Sequence, residues 1–401
     1  MEIWVKLLYN SCGDEQGAYM KAQRLLICVS LLIMVLSVSC FSPWRGDEGN
    51  LTIVWGKSAA ARAFKNDLDG CDFMVTLTGP GDTQERIFRQ SVPSATFTVT
   101  PGTWTVTIKG GYLPFGQTGG NVGSIDIWVM GVTQVEVTPG KNAPKTIPMY
   151  TATTVNSWAQ LDHLVKSNNE EYSTELIENN RSREELFILG ESFNSFEEDY
   201  YYDYNLVTDT WEWLPGTGAT IYINRPIIII AEDNVTIGRS TGSGMSYFYS
   251  FFNVEDGGTL TLGLPGMAGT LTFDNQGEES SSLMKVGSGG TLVMNSGVAI
   301  KNGFFPEENG GVLVDSGQLE GDEPLPGGTF IMNGGTITDN HVKATESYPI
   351  EGGGPFIEYS PGGGVVVRRG YFNIQTGKSA PDGRFIRNGG TISGNTPDNV
   401  Y

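Results

Sequence analysis

The side chains able to carry chemistry are few in kind and crowded in one class. The 401 residues include two histidines, His163 and His341, four cysteines, and 45 acidic against 25 basic residues. Nucleophilic triads fail for want of histidine, and a zinc centre fails for want of ligands. His163 stands without a second ligand at a useful spacing and reads as structural. His341 closes ITDNH (337–341), and sister segments hold Lys-Asn and Gly-Asn where this one has Asp339 and Asn340. Asp339 therefore reads as a corner residue. A carboxylate pair can hydrolyse glycosides without histidine, yet Glu278, Glu279, Asp315, Asp322 and Glu323 offer no spacing that selects a pair. The glycines punctuate strands and open no helix, so no phosphate loop is read. A net charge of −20 argues against a nucleic-acid partner.

One segment concentrates ligand chemistry. FEEDYYYDYNLVTDTWEWLPG (196–216) interleaves carboxylates with rings, and Asp199, Tyr200, Tyr201, Tyr202, Asp203, Tyr204, Trp211 and Trp213 form the candidate binding loop. Glu197, Glu198, Asp199, Asp203 and Asp209 can offer oxygens to a hard cation such as Ca2+, but their spacing does not fit an EF-hand. A solvated acidic loop is the better reading, and no metal or cofactor is assigned. YNLVTDTWEWLPG also resembles a kelch-type blade strand, although a propeller needs several copies and the chain holds one.

The elements that position these residues begin with a leader. Met20 opens a better pattern than Met1: Lys21 and Arg24 precede the apolar run LLICVSLLIMVLSV (25–38), which is short of the ~20 residues of a membrane span. LSVSC (36–40) resembles the lipobox of bacterial lipoproteins, with Val38 departing from its commonest form. The resemblance implies cleavage before Cys40 and acylation of that cysteine. An ordinary cleaved signal and an uncleaved anchor are the alternatives. Residues 1–39 are expected to be a signal peptide and 40–49 a linker. With Cys40 acylated, Cys71 has no partner, so the fold must stand on its core and ladders.

Residues 50–150 alternate apolar and polar side chains, as in DFMVTLTGPG (72–81), ATFTVTPGTWTVTIKGGY (95–112) and VTQVEVTPGKNAPKTIPMY (132–150). Alternation broken by Pro-Gly and Gly-Gly turns is the pattern of an antiparallel β-sandwich. Pro101-Gly102 is expected to turn a hairpin, after which Trp104, Val106 and Ile108 share a face. The segment resembles prealbumin-like or carboxypeptidase-regulatory-like modules, which implies a spacer or binding domain. Over 151–215 the period changes: Val155, Trp158, Leu161, Leu164 and Val165 fall at helical spacing behind an Asn156 or Ser157 N-cap. The acidic aromatic loop follows that helix.

Residues 216–401 repeat themselves. GGTLVMNSGVAIKN (289–302), GGTFIMNGGTITDN (327–340) and DGRFIRNGGTISGN (382–395) align without gaps. Each reads as a turn, a strand, an asparagine-glycine corner, a second strand and a closing asparagine. A basic period of about 20 residues is too short for a propeller blade and suits one coil of a parallel β-helix. Glycine and asparagine tolerate the left-handed backbone that tight corners require. Leu292, Phe330 and Phe385 are expected to stack inside, and Asn295, Asn333 and Asn388 to stack at one structural corner.

These repeats resemble right-handed parallel β-helix, or pectin-lyase-like, proteins, in particular the GGTISGN-repeat surface lipoproteins of spirochaetes. The expected fold is all-β: a right-handed parallel β-helix over 216–401, preceded by a small antiparallel β-sandwich, with a short amphipathic capping helix between them. The resemblance implies a lipid-anchored protein of the cell envelope, at the outer membrane or cell surface, that binds a glycan or matrix protein without catalysis. Two alternatives stay open. One is a polysaccharide lyase or glycoside hydrolase, although Arg225-Pro226 does not continue into the lyase Arg-x-Pro-x-x-Arg and the hydrolase Gly-His-Gly is missing. The other is a purely structural envelope protein.

Overall fold

The computed structural model describes residues 48–55, 72–88, 94–112, 126–170, 185–195, 200–205, 210–215, 220–239, 250–277, 282–305, 310–320, 323–342, 363–373 and 377–396. The leader, Cys40, Cys71, Asp199, Glu278, Glu279 and Asp322 lie outside them. Residues 1–48 and 49–401 form two units; the fold below is that of the second. It is all-β apart from one described helix.

Alternation builds the first module. A four-stranded sheet (Gly49–Trp55, Ser94–Val99, Gly140–Lys141 and Lys145–Ile147) packs on Gln84–Phe88, Asp72–Thr78, Gly102–Tyr112 and Asp126–Val137, which belong to an eleven-stranded sheet. Leu51, Ile53, Phe97 and Val99 meet Val75, Trp104, Val106 and Ile108 in one buried core. Two details depart from the sequence reading. Gly49–Trp55 pairs antiparallel with Ser94–Val99 but parallel with both short strands, so this sheet is mixed. Pro101-Gly102 turns no hairpin; it carries the chain from the four-stranded sheet to the long one. The apolar rows on either side of it are buried by facing each other across the core. Trp104 Nε1 donates to Thr100 O at 2.8 Å and holds the crossing.

The long sheet continues past this module. Asp126–Val137 pairs antiparallel with Tyr150–Val155. Beyond that strand every pairing is parallel, through Glu185–Leu189, Pro226–Ala231, Thr259–Leu262, Thr291–Met294 and Thr329–Met332 to Arg384–Arg387. Two further sheets, of six and five strands, are wholly parallel. From Glu185 onward the chain visits the long, the six-stranded and the five-stranded sheet in that order and then begins again.

Side chains follow the two-residue period of the strands. Leu260, Leu292, Phe330 and Phe385 stand in register, and the last two rings stack at 5.1 Å and 12°. Thr259, Thr291 and Thr329 form the outward row. The gapless repeat alignment breaks at the corner: Ile300 pairs with Ile337, where the alignment puts Ala299. The slip of one residue keeps an isoleucine, rather than an alanine, on the inner face.

Pro226–Ala231 carries four consecutive isoleucines because both its faces are covered. Ile227 and Ile229 enter the inner core, while Ile228 and Ile230 pack outward with Met130, Val132, Leu186 and Ile188. Strands buried on both faces read as continuous apolar runs. The helix Trp158–Glu170 covers the end of the core at which the winding begins, against Phe193–Ser195 and Ile221–Ile223. Ser157 Oγ accepts from Gln160 N–H at 3.1 Å, and Gln160 Oε1 accepts from Asn156 N–H at 3.0 Å, a reciprocal cap. Its Trp158 ring lies 5.9 Å from Phe251 and 5.5 Å from Phe252.

Phe330→Ala is expected to cost about 3–5 kcal/mol, because it empties a fully buried position between Leu292 and Phe385. Thr329→Ala, on the outer row, should cost under ~0.5 kcal/mol. Urea denaturation of the two variants checks the contrast.

Candidate functional site

Corners fix where polar groups can gather. After the strands of the six-stranded sheet, Gln276 (φ 56°), Asn302 (φ 59°), Asp339 (φ 56°) and Gly394 (φ 70°) all take the left-handed conformation. Beside them lie three buried asparagines, Asn275, Asn340 and Asn395. Asn340 Oδ1 accepts from Gly303 N–H at 2.9 Å, and Asn340 Nδ2 donates to Asn395 Oδ1 at 2.9 Å. Asn395 Nδ2 continues to Ile337 O at 2.9 Å. Burial makes these bonds obligatory, since an orphaned amide there has no water to turn to.

The other corner holds Asn295, Asn333 and Asn388. Asn388 Nδ2 donates to Asn333 Oδ1 at 2.9 Å, Asn333 Nδ2 to Asn295 Oδ1 at 3.0 Å, and Asn295 Nδ2 to Gly263 O at 2.9 Å. Sequence reasoning singles out this column and misses the Asn340–Asn395 one. The closing asparagine of the last two repeats is the signal for it.

A cleft of about 300 Å³ opens at the first corner, lined by Asp274, Gln276, Asn302, Phe304, Asp339 and His341 together with Gly277 and Gly303. Phe304–Phe305 and His341–Val342 pair in parallel and place Phe304 opposite His341. Asp274 Oδ1 accepts from Asn302 Nδ2 at 2.8 Å and from Gln276 N–H at 2.9 Å, and Oδ2 lies 3.1 Å from Lys301 Nζ. Burial pushes this carboxyl upward, but the bonds from Asn302 and Gln276 and the Lys301 charge outweigh it and hold it below the ordinary value. His341 Nδ1 meets Thr396 Oγ1 at 2.5 Å. Asp339 and His341 are exposed at the rim. Amides, carboxylates and one ring can hydrogen-bond hydroxyl groups and cover an apolar sugar face.

The remaining candidates lie elsewhere. Tyr200–Asn205 and Thr210–Pro215 form an antiparallel hairpin, with Tyr201 opposite Leu214, Tyr202 opposite Trp213, Asp203 opposite Glu212 and Tyr204 opposite Trp211. Asp315 lies between Lys285 (3.3 Å) and Arg368 (3.0 Å), and Glu323 is exposed on a short hairpin. Arg225 is buried and pairs with Glu185 at 2.8 Å. Arg239 sits over the Phe251 ring at 4.9 Å, and burial lowers its pKa to about 10. Among the described residues no group of three or more histidine, cysteine or acidic side chains is placed to hold a metal ion. Among them, too, no helix is long and apolar enough to cross a membrane. Comparison with protein-family models, curated proteins and solved structures returns no match.

Two outcomes follow from this geometry. The folded Asp274 lies below the ordinary value of 3.8, so its contribution to stability is present above that pH and lost as pH falls toward the folded value. Asp274→Asn should therefore lower the unfolding midpoint at pH 7, and its gap from the parent should close in acid. Asn340→Ala, which strands the buried Gly303 N–H, should cost about 2–3 kcal/mol, against about 1 kcal/mol for the more exposed Asn333→Ala. Chemical denaturation of both variants measures the difference.

Proposed function

We propose that the chain is a lipid-anchored protein of the cell envelope, at the outer membrane or cell surface. In this reading a right-handed parallel β-helix, standing on a β-sandwich, presents a surface that binds glycan. The observation that carries the binding reading is the corner cleft, which Phe304 lines together with Asn302, Gln276 and two carboxylates. Sugars are recognised by such a combination of planar ring and hydrogen-bonding side chains. The rotation of the chain through three parallel sheets supports the β-helix, and LSVSC supports the anchor at Cys40. The aromatic hairpin Tyr200–Asn205 with Thr210–Pro215 is a second contact element for a glycan or a matrix protein.

Binding is favoured over hydrolysis on one ground. A hydrolytic carboxyl pair needs one member free to protonate the leaving oxygen and one free to attack or to activate water, whereas both oxygens of Asp274 are already occupied by Asn302, Gln276 and Lys301.

An immobilised panel of oligosaccharides tests the cleft. Phe304→Ala should weaken capture of the bound sugar at least tenfold, while Tyr222→Ala, which removes a 54 % exposed ring outside the cleft, should leave it unchanged. Equal capture by the Phe304 variant would remove the cleft from the account. For the anchor, Cys40→Ala should abolish incorporation of labelled fatty acid and release the chain from the membrane fraction. Retention in membranes with no acyl label on the parent chain would favour an uncleaved leader.

A further inference from the structure

We propose that the last coil carries a separate contact surface for an anionic glycan. This rests on the glycan-binding reading above and names a ligand class for it. Residues 363–396 hold five basic side chains and one acidic one, Asp382, in a chain of net charge −20. Arg368 is engaged by Asp315 at 3.0 Å. Arg369, Lys378, Arg384 and Arg387 are exposed.

Register shows how the charges replace what precedes them. The outward row Thr259, Thr291 and Thr329 ends in Arg384, and the inward row Leu262, Met294 and Met332 ends in Arg387. Charged residues on an outer strand can guard a sheet edge against further pairing, and Arg384–Arg387 is the outermost described strand of the long sheet. That role accounts for Arg384 and Arg387. It does not account for Arg369, nor for Tyr371 and Phe372, which lie off the edge strand and are 50 % and 59 % exposed. Exposed rings work against a guard.

Those rings are held in place. Phe372–Asn373 pairs with Lys378–Ser379, Ala380 N–H donates to Tyr371 O at 2.9 Å, and Gly370 N–H donates to Asp382 Oδ1 at 2.7 Å. Leu319 N–H donates to the Tyr371 hydroxyl at 3.3 Å, which sets the short hairpin bearing exposed Glu323 on one side of the patch. An anionic strand is thereby steered away from that side and toward Arg369 and Arg384. Planar guanidinium groups pair bidentately with carboxylate or sulfate, and flat rings cover sugar faces. Outside residues 363–396 the chain carries 44 acidic against 20 basic residues, a balance that disfavours a polyanion there.

The full chain is titrated with a sulfated heparin oligosaccharide, a carboxylated alginate oligomer, neutral dextran and vesicles containing an anionic lipid. The anionic oligosaccharides should bind, with affinity falling as salt rises, and dextran should not compete with them. The pair Arg369→Ala/Arg384→Ala and the pair Tyr371→Ala/Phe372→Ala should each lose at least tenfold in affinity with unchanged circular dichroism, while Phe304→Ala keeps the parental value. Parental affinity in both paired variants overturns the proposal, as does capture by the vesicles alone. Loss confined to Phe304→Ala overturns it and leaves the cleft reading standing. Failure of both anionic oligosaccharides to bind overturns the proposal and leaves the cleft reading to the oligosaccharide panel.

Discussion

Each circuit of the chain through the long, six-stranded and five-stranded sheets, here called a coil, leaves a row of backbone donors and acceptors that the next circuit satisfies, and most features of the described residues answer that constraint. Thr291 N–H donates to Gly258 O, Thr329 N–H to Gly290 O and Arg384 N–H to Gly328 O, each at 2.9 Å. An unpaired polar group in such a wall is costly. The coils must therefore approach closely at their corners, which explains the paired glycines. A Cβ on Gly258 would stand 2.2 Å from Ile223 O, and one on Gly290 would stand 2.0 Å from Val254 O. Where the strand ladder cannot reach around a corner, asparagine side chains carry the bonding from coil to coil.

The same constraint raises the question of what starts and ends the stack. At the start, the antiparallel module lends an edge: Asp126–Val137 receives Tyr150–Val155, and the first parallel strand, Glu185–Leu189, adds to that. A parallel strand pair needs a crossover, and the first one here includes the helix that covers the apolar end of the core. Ile228 and Ile230 pack with Met130 and Val132, so the antiparallel module and the winding share a buried joint as well as a sheet. At the far end the rows that were threonine and methionine become arginine.

Much of this was legible in the residues, and the failures have physical reasons. The strand period located the rows of Leu292, Phe330 and Phe385 and of Trp104, Val106 and Ile108, because inner faces must be apolar wherever a strand lies. The asparagine column of residues 295, 333 and 388 was legible because corners restrict residue type. Pro101-Gly102 was misread as a hairpin, since a turn motif reports local backbone geometry and not which sheet receives the next strand. The one-residue slip at Ile300 was hidden by letter identity in the repeats. The corner cleft was the least legible. Asp274, Asn302 and Asp339 lie on three successive coils, and only the register, which depends on loops of unequal length, brings them together.

Backbone ladders run unbroken from the antiparallel module through every described strand of the long sheet. Native-state amide hydrogen exchange, resolved by strand, tests this continuity most directly. Slow exchange is expected from Tyr150–Val155 through Glu185–Leu189, Pro226–Ala231 and each later strand of the long sheet to Thr329–Met332, easing only at Arg384–Arg387, the outermost described strand. Exchange at the unfolded-chain rate in Glu185–Leu189 or Pro226–Ala231, with protection on either side, would break the ladder and contradict the account.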